Sequence, residues 1–501
     1  MGIDYYGVRL GKLEEWMKRF PPRYPEKYDK THFCTELKNV PDGTDNVSTA
    51  GRIIAFRVMG KLTFAHIQDH TGKVQFALNA RNIEADLYKF LVKHLDVGDY
   101  IGIKGVMFTT QKGERTLNVK ECRLLAKALR SLPEKWHGLI DREQQARQRY
   151  LDLISNRETM ERFAKRNEIL RFMRRYLDEH GFFEVETPIL QVASSGASAR
   201  PFVTHHNALD LPLYLRIAPE TYLKRLMVGG YERVYEIGKC FRNEGIDPSH
   251  LQEFTMLEYY VAYWNYRDNM KFIREMIQAM VKQTTGSLEI EYQGEKIDFS
   301  GEWQEITYRD LVLRDTGIDL DTITTLEQLK EEVKKRNLDI ELDKHVGQGS
   351  LIDSLYKKYS RPKLIQPTFL TMHPSILVPL ARQTDDNPDR LDMFQVVINS
   401  WELVKAYSEL VDPIEQKNRL LDQKELAARG DDEAMMLEED YIICMEYGMP
   451  PMSGLGLGID RMVALLTDSK NIRDVIYFPS LKPIEQSEIE LEEKESEPGG
   501  N

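Results

Sequence analysis

The chain has 501 residues, long enough for two or more domains, and 42 % hydrophobic with 30 % charged residues excludes a disordered composition. A formal net charge of −12 excludes a protein coated in basic surface, so a nucleic-acid partner has to be met locally, by shape and a few bases. Residues 1–46 open with a mixed segment, Leu10 to Phe20, that reads as a short helix, followed by Pro21, Pro22 and Pro25. This is a helical extension with nothing diagnostic.

From Val47 the pattern changes. Gly51–Val58, Leu62–Gln68 and Val74–Leu78 are strand-like, with Asp69-His-Thr-Gly72 as the turn between the last two. A helix over 83–94 follows, then strands over Tyr100–Thr109 and Thr116–Leu125. Five strands with one helix between them are what an OB-fold barrel shows, over residues 47–130, and such barrels bind single-stranded nucleic acid. Phe64, His66 and Gln75 alternate with apolar residues and have the chemistry to stack on and hydrogen-bond splayed bases; plain surface polarity is the alternative. Residues 131–158 read as a linker.

Thr159 to His180 reads as a long amphipathic helix, with Phe163, Leu170, Met173 and Leu177 on one face and Gly181 as its stop. Phe182–Val185 is a strand that Pro188 keeps out of a central position. Pro219-Glu220-Thr221 starts a helix, where Glu220 in the first turn also suits simple capping. Val234–Cys240 leads as a strand into Arg242, Glu244, His250 and Glu253, a cluster able to hold an anion. The run Phe254 to Tyr263 is a strand that places Phe254, Met256, Glu258 and Tyr260 on one face. Arg267–Gln283 and Thr325–Asn337 are expected as surface helices. Phe394–Leu410 is strand-like, and three glycines in Gly454-Leu-Gly-Leu-Gly458 allow close approach of a ligand before Asp460-Arg461 opens a helix. Residues 484–501 read as an acidic disordered tail. Four scattered cysteines without a Cys-x-x-Cys pair exclude a recognisable zinc ribbon and point to a reducing, cytoplasmic compartment; no run approaches a membrane span.

Together these pieces resemble class II aminoacyl-tRNA synthetases, most closely the lysyl-tRNA synthetase family, from about Val47 to Pro483. Gly181-Phe-Phe-Glu-Val-Glu-Thr-Pro188 resembles the first class II motif, Phe241-Arg-Asn-Glu244 with Glu253-Phe-Thr255 the second, and Gly454–Arg461 the third. Arg200–Leu209, Leu215–Glu220 and Leu124–Leu129 resemble the lysyl branch. The resemblance implies an α+β fold: an N-terminal OB barrel for the anticodon and, over residues 159–483, a catalytic domain with an antiparallel six- or seven-stranded sheet flanked by helices. It implies a homodimer that makes lysyl-adenylate from lysine and ATP with Mg²⁺ and transfers the lysyl group to tRNA(Lys). By the same resemblance Arg242 grips the lysine carboxylate and α-phosphate, Phe254 and Arg461 sandwich adenine, Glu244 and His250 fix the nucleotide, and Glu402 holds Mg²⁺. Gly196 and Glu220 meet the substrate α-amine. Glu258, Tyr260 and Glu409, with Tyr407 beside them, meet the ε-ammonium. Phe64, Gln75 and Glu121 match the anticodon positions.

Some positions depart from the family pattern. Gln395 stands where a second metal-binding glutamate is expected, and an amide keeps the oxygen but loses the charge. Lys405 replaces an asparagine in the amino-acid site. A resident ammonium about 4 Å from a bound one would cost roughly 4 kcal/mol at an effective dielectric near 20. It can instead pair with the substrate carboxylate, or occupy the acidic pocket itself. Leu251-Gln252 replaces Asn-Pro, Ser195 a glycine and Val411 an asparagine. These changes leave a second reading open: a diverged paralogue with lost or redirected aminoacylation, in an RNA- or nucleotide-binding role or with another amino acid or acceptor.

Overall fold

A computed structural model describes residues 5–133, 139, 141–197, 199–245, 247–345, 347–430 and 434–483. The acidic tail expected over 484–501 lies outside the described residues, as does part of the expected linker. The chain divides into two compact units, one built on residues 1–141 and the other on 156–482.

The first unit is a closed barrel of β1 (Val47–Met59), β2 (Leu62–Gln68), β3 (Lys73–Asn79), β4 (Tyr100–Thr109) and β5 (Arg115–Ala126), ordered β1-β2-β3-β5-β4. Alternation along each strand sends Ile53, Ile67, Phe76, Ile103 and Leu117 into its core. The opening helix, α1 (Tyr5–Arg19), adds Leu13 and Trp16 to that core, so it is a structural part of the barrel unit rather than a free extension. The helix between β3 and β4, α2 (Ala85–His94), also packs there through Tyr88 and Leu91. The buried Lys127 ammonium pins the loop before β4, with Asp96 at 2.5 Å and Asp99 at 2.7 Å.

The second unit takes in residues 142–149, where the expected linker is helical over Arg142–Arg147, and then the long helix α3 (Arg157–Glu179), which buries Phe163, Met173 and Leu177 and stops at Gly181, whose φ of +78° favours glycine. Its main sheet contains β6 (Phe183–Glu184), β7 (Arg233–Phe241), β8 (Glu253–Ala262), β9 (Gln304–Thr307), β10 (Thr368–Thr371), β11 (Met393–Ile398), β12 (Trp401–Ser408) and β13 (Met452–Gly458). The order is β9-β10-β11-β12-β13-β8-β7-β6. All interior pairings are antiparallel, while β9 and β6 join the two edges in parallel. The sheet thus has eight strands rather than six or seven. The extra strand, β9, is four residues long and carries no pattern of its own. β11 and β12 form a hairpin, turned by Asn399 and Ser400 at φ of 44° and 66°.

The back of the sheet packs on α5 (Tyr266–Thr285), numbered after α4 (Glu220–Val228), and here the sequence expectation of a surface helix is corrected. Met270, Ile273, Ile277 and Met280 form a stripe at helical spacing that is buried against Leu257, Tyr259, Val404, Ala406 and Leu455. The charged residues of α5 occupy the remaining face and masked that stripe. The helix over Leu326–Lys335 buries only Leu329 and Val333 and does lie at the surface. Among the described residues, no helix is long and apolar enough to cross a membrane.

Candidate active site

With odd-numbered positions of β8 in the core, the even-numbered ones, Phe254, Met256, Glu258 and Tyr260, face a cavity of about 650 Å³ on the front of the sheet. The same alternation brings Lys405 and Tyr407 of β12 to that cavity, and Gly454, Gly456 and Gly458 of β13 between the two. Register fixes rows across the sheet. Tyr260, Gly454 and Tyr407 are successive partners in one row; Glu258, Gly456, Lys405 and Gln395 are successive partners in the next. The glycine strand is therefore the floor of a trough walled by β8 and β12. A Cβ on Gly454 would collide with Glu409 Oε1 and the Tyr260 ring, so glycine is required there for space.

One end of the trough is acidic. Glu220, Glu258 and Glu409 are each at least nine-tenths buried. The Lys224 ammonium lies between two of them, 2.6 Å from Glu220 Oε1 and 2.5 Å from Glu409 Oε2. The Tyr407 hydroxyl donates to Glu220 Oε1 at 2.7 Å, and the Tyr260 hydroxyl donates to Glu258 Oε1 at 2.8 Å. Glu220 is thus the hub of a buried network, beyond its place in the first turn of α4. Gly196 brings its backbone against it: at φ of +87°, a Cβ there would lie 3.0 Å from Glu220 Cβ. Glu258 Oε2 has no hydrogen-bond partner. Burial, and then the charge of Glu220, push its carboxyl up to about 8. Lys224 was not foreseen from the sequence. Its signal was there, as an i,i+4 Glu–Lys pair on a helix beginning at Glu220. The resident ammonium of the acidic pocket is this one, not that of Lys405.

The other end is cationic. Arg461, in the first turn of α7 (Ile459–Leu466), donates to Glu402 O at 2.7 Å and Ser249 O at 3.3 Å; α6 (Gln348–Leu355) lines the cavity nearby. Its Nη2 also donates to His250 Nε2 at 2.9 Å, so the His250 proton sits on Nδ1, toward Asp247 at 2.8 Å. Burial and the Arg461 charge lower the pKa of His250. The Arg242 guanidinium lies over the Phe254 ring at 5.1 Å. The structure does not bring Arg461 over that ring; Arg242 covers it instead. Glu244 lines the cavity, with its carbonyl accepting from Gln252. Asp460, expected from the sequence only to open a helix with Arg461, accepts from Thr255 N at 2.8 Å and pairs with Arg166 at 2.6 Å, tying α7 to β8. Leu251 is anchored in the main core, and Gln252, in the proline's place, donates to the Glu244 carbonyl at 3.0 Å. Ser195 is buried and donates to Glu438 at 2.7 Å.

Gln395 Nε2 donates to Glu402 Oε2 at 2.7 Å, while Gln395 Oε1 is buried and has no partner. One carboxylate and one free amide oxygen fit a hard cation whose remaining ligands come from phosphate and water. Among the described residues, no group of three or more His, Cys, Asp or Glu side chains is arranged to hold a metal alone.

In the barrel unit, Phe64, His66 and Gln75 share the outer face of β2 and β3, with His66 and Gln75 as register partners. His66 Nε2 meets Glu114 at 2.8 Å, and Gln75 accepts from the Thr116 hydroxyl at 3.3 Å. Glu121 is not in this row. It stands opposite Lys104 on β4, five residues beyond the Thr116 that pairs with Gln75.

An antiparallel sheet whose front cavity has an arginine-flanked end and an acidic end, in a chain that also carries a five-stranded barrel, is the arrangement of a class II tRNA synthetase. Residues 141–482 match the family described as tRNA synthetases class II (D, K and N), and residues 47–125 match the OB-fold nucleic acid binding domain. The lysine--tRNA ligase of Pelotomaculum thermopropionicum is 46 % identical over 485 residues, 95 % of each chain. That of Carboxydothermus hydrogenoformans is 47 % identical over 478 residues, 95 % of this chain and 97 % of its own. That of Aquifex aeolicus is 48 % identical over 439 residues, 87 % and 73 % of the two chains. The chain belongs to the lysine--tRNA ligase family of class II tRNA synthetases.

Proposed function

We propose that this chain activates lysine with ATP to lysyl-adenylate and transfers the lysyl group to tRNA(Lys). The observation that carries the reading is the acidic end of the trough. Of three buried carboxylates, two share one resident ammonium and the third, Glu258, keeps an oxygen without a partner, which leaves room for a second cation. A buried pocket of that kind selects an amino acid whose side chain ends in an ammonium. Glu258, Tyr260 and Glu409 take the ε-ammonium, with Tyr407 as the facing wall. Glu220 and the Gly196 backbone take the α-amine.

The lysine carboxylate is already a nucleophile, so the reaction needs position and charge neutralisation rather than a general base. Arg242 binds the carboxylate and α-phosphate in the forked geometry that a lysine lacks. Arg461 leaves His250 and the Glu402 carbonyl to close over adenine on Phe254, and His250 and Glu244 then hold the nucleotide. Glu402, with the Gln395 amide oxygen, would hold Mg²⁺, which would neutralise phosphate charge. In the barrel, Phe64 and Gln75 read anticodon bases.

The protein works as a homodimer in the cytoplasm. Support for the dimer is edge strand β6, where Phe183 is 62 % exposed with Tyr231 against it, an apolar sheet edge that a second subunit covers. The test is charging of a tRNA(Lys) transcript with radiolabelled lysine. Lysyl-tRNA is expected, and formation of adenylate without charged tRNA would overturn the transfer step.

A further inference from the structure

Lys405 occupies the joint of the trough. Along β12 it falls between Glu402 at the nucleotide end and Tyr407 at the amino-acid end, with Glu409 just beyond. Across the sheet its neighbours in the row are Gly456 on one side and Gln395 on the other. Gly456 has no side chain, and a Cβ there would only come into ordinary contact, with Met256 Sδ at 3.6 Å and Lys405 O at 4.0 Å.

The side chain of Lys405 is half-buried on the cavity wall, and its ammonium has no ion-pair partner among the described residues. Beside it are two further groups with unfilled hydrogen-bonding capacity. Gln395 Oε1 is buried and unpartnered. His373, 2 % exposed and lining the same cavity, faces Gln395, with neither ring nitrogen in a hydrogen bond of good geometry. Buried polar atoms are almost always partnered, so the poorly satisfied Gln395–His373 pair, beside a half-buried ammonium with no ion-pair partner, marks where a polar part of a ligand docks. The acidic carboxylates do not hold this ammonium, because Lys224 already bridges Glu220 and Glu409.

We propose that Lys405 is a further catalytic residue: its ammonium contacts the α-phosphoryl group under attack, on the side of the trough opposite Arg242. The inference rests on the adenylation reading of the same cavity. In that step a carboxylate oxygen of the amino acid forms a bond to the α-phosphorus. The bond from that phosphorus to the bridging β-phosphate oxygen breaks, and pyrophosphate leaves with the electron pair; no proton has to move. Negative charge gathers on the phosphoryl oxygens and the leaving group, and a fixed cation at the joint is worth most at that moment. Arg242 follows β7, beyond β8, while Lys405 rises from β12, so the two cations flank the glycine floor.

The test uses Lys405→Met and Lys405→Arg in the full chain, with thermal melts to establish folding. Lysine-dependent ATP–pyrophosphate exchange gives kcat and both KM values, and calorimetric titration with ATP in EDTA reports contact with the polyphosphate independently of turnover and metal. Lys405→Met is expected to lower kcat by about tenfold or more, as loss of one charge-stabilising donor does, with the lysine KM little changed. It should also weaken metal-free ATP binding several-fold, and Lys405→Arg should retain most of both. Unchanged kcat and unchanged ATP affinity would overturn the proposal. So would an unchanged kcat with a lowered lysine KM, which would put the ammonium against the bound amino acid. If the wild-type protein is silent with lysine, the lysine reading fails, and the ATP titration alone decides the role of Lys405.

Discussion

The two ends of the trough are prepared in opposite ways. At the acidic end Lys224 is fully buried between Glu220 and Glu409, and hydroxyls of Tyr260 and Tyr407 hold the carboxylates in place. The side chains there interlock, and the glycine floor leaves one shape for an occupant. At the cationic end Arg461 rests on His250 and two backbone carbonyls, and Arg242 lies on the Phe254 ring. On the proposed reading, those contacts are exchanged when a nucleotide arrives. A preorganised pocket suits discrimination, since its cost is met on folding, whereas movable arginines suit a substrate that enters and leaves as different phosphates.

The sharpest way to break this contrast is Lys224→Met. Removing one partner of a buried ion network leaves Glu220 and Glu409 uncompensated, and a loss of about 3–5 kcal/mol of stability is expected in urea unfolding. A loss below about 1 kcal/mol would mean that the acidic end is not preorganised by this ammonium. Gly454→Ala comes next. Its methyl group intrudes on Glu409 and Tyr260, so the lysine KM should rise about a hundredfold while the ATP KM stays within about twofold.

The acidic end also has a pH signature. Glu258, pushed up to about 8, holds a proton in the empty pocket at neutral pH and has to lose it to meet an ammonium. The lysine KM should therefore fall as pH rises from about 6.5 to 8.5, a slope that Glu258→Gln removes. The sign for stability is the reverse. The folded carboxyl binds a proton that the unfolded chain, near 4.5, has released, so this group's contribution declines as pH rises from 4.5 to about 8. In the barrel, Phe64→Ala should raise the tRNA KM about tenfold, the worth of one stacked base, with amino-acid activation untouched. The smallest effect belongs to the cationic end. Gln395→Glu adds one charge to a site whose other ligands are phosphates, so the Mg²⁺ needed for adenylate formation should fall by a few-fold at most.

Where local pattern decides the structure, the sequence was a good guide. Strand alternation identified the five barrel strands and the shared face of Phe254, Met256, Glu258 and Tyr260. Gly181 and Pro219 marked real helix ends. What failed was whatever depends on a partner distant in sequence. The apolar stripe of α5 reads as ordinary until the back of the sheet is placed against it. The pairing of Lys224 with Glu409 spans 185 positions, and only the shared pocket brings the two together. Register supplied the remaining piece: it makes Gln395 and Lys405 neighbours, two departures that look independent along the chain.

The most direct measurement is ATP–pyrophosphate exchange by the wild-type chain with each of the standard amino acids in turn. Exchange with lysine alone is the expected result, since the acidic end is shaped and charged for a side-chain ammonium. Exchange with a different amino acid, or silence with all of them from folded protein, would contradict it.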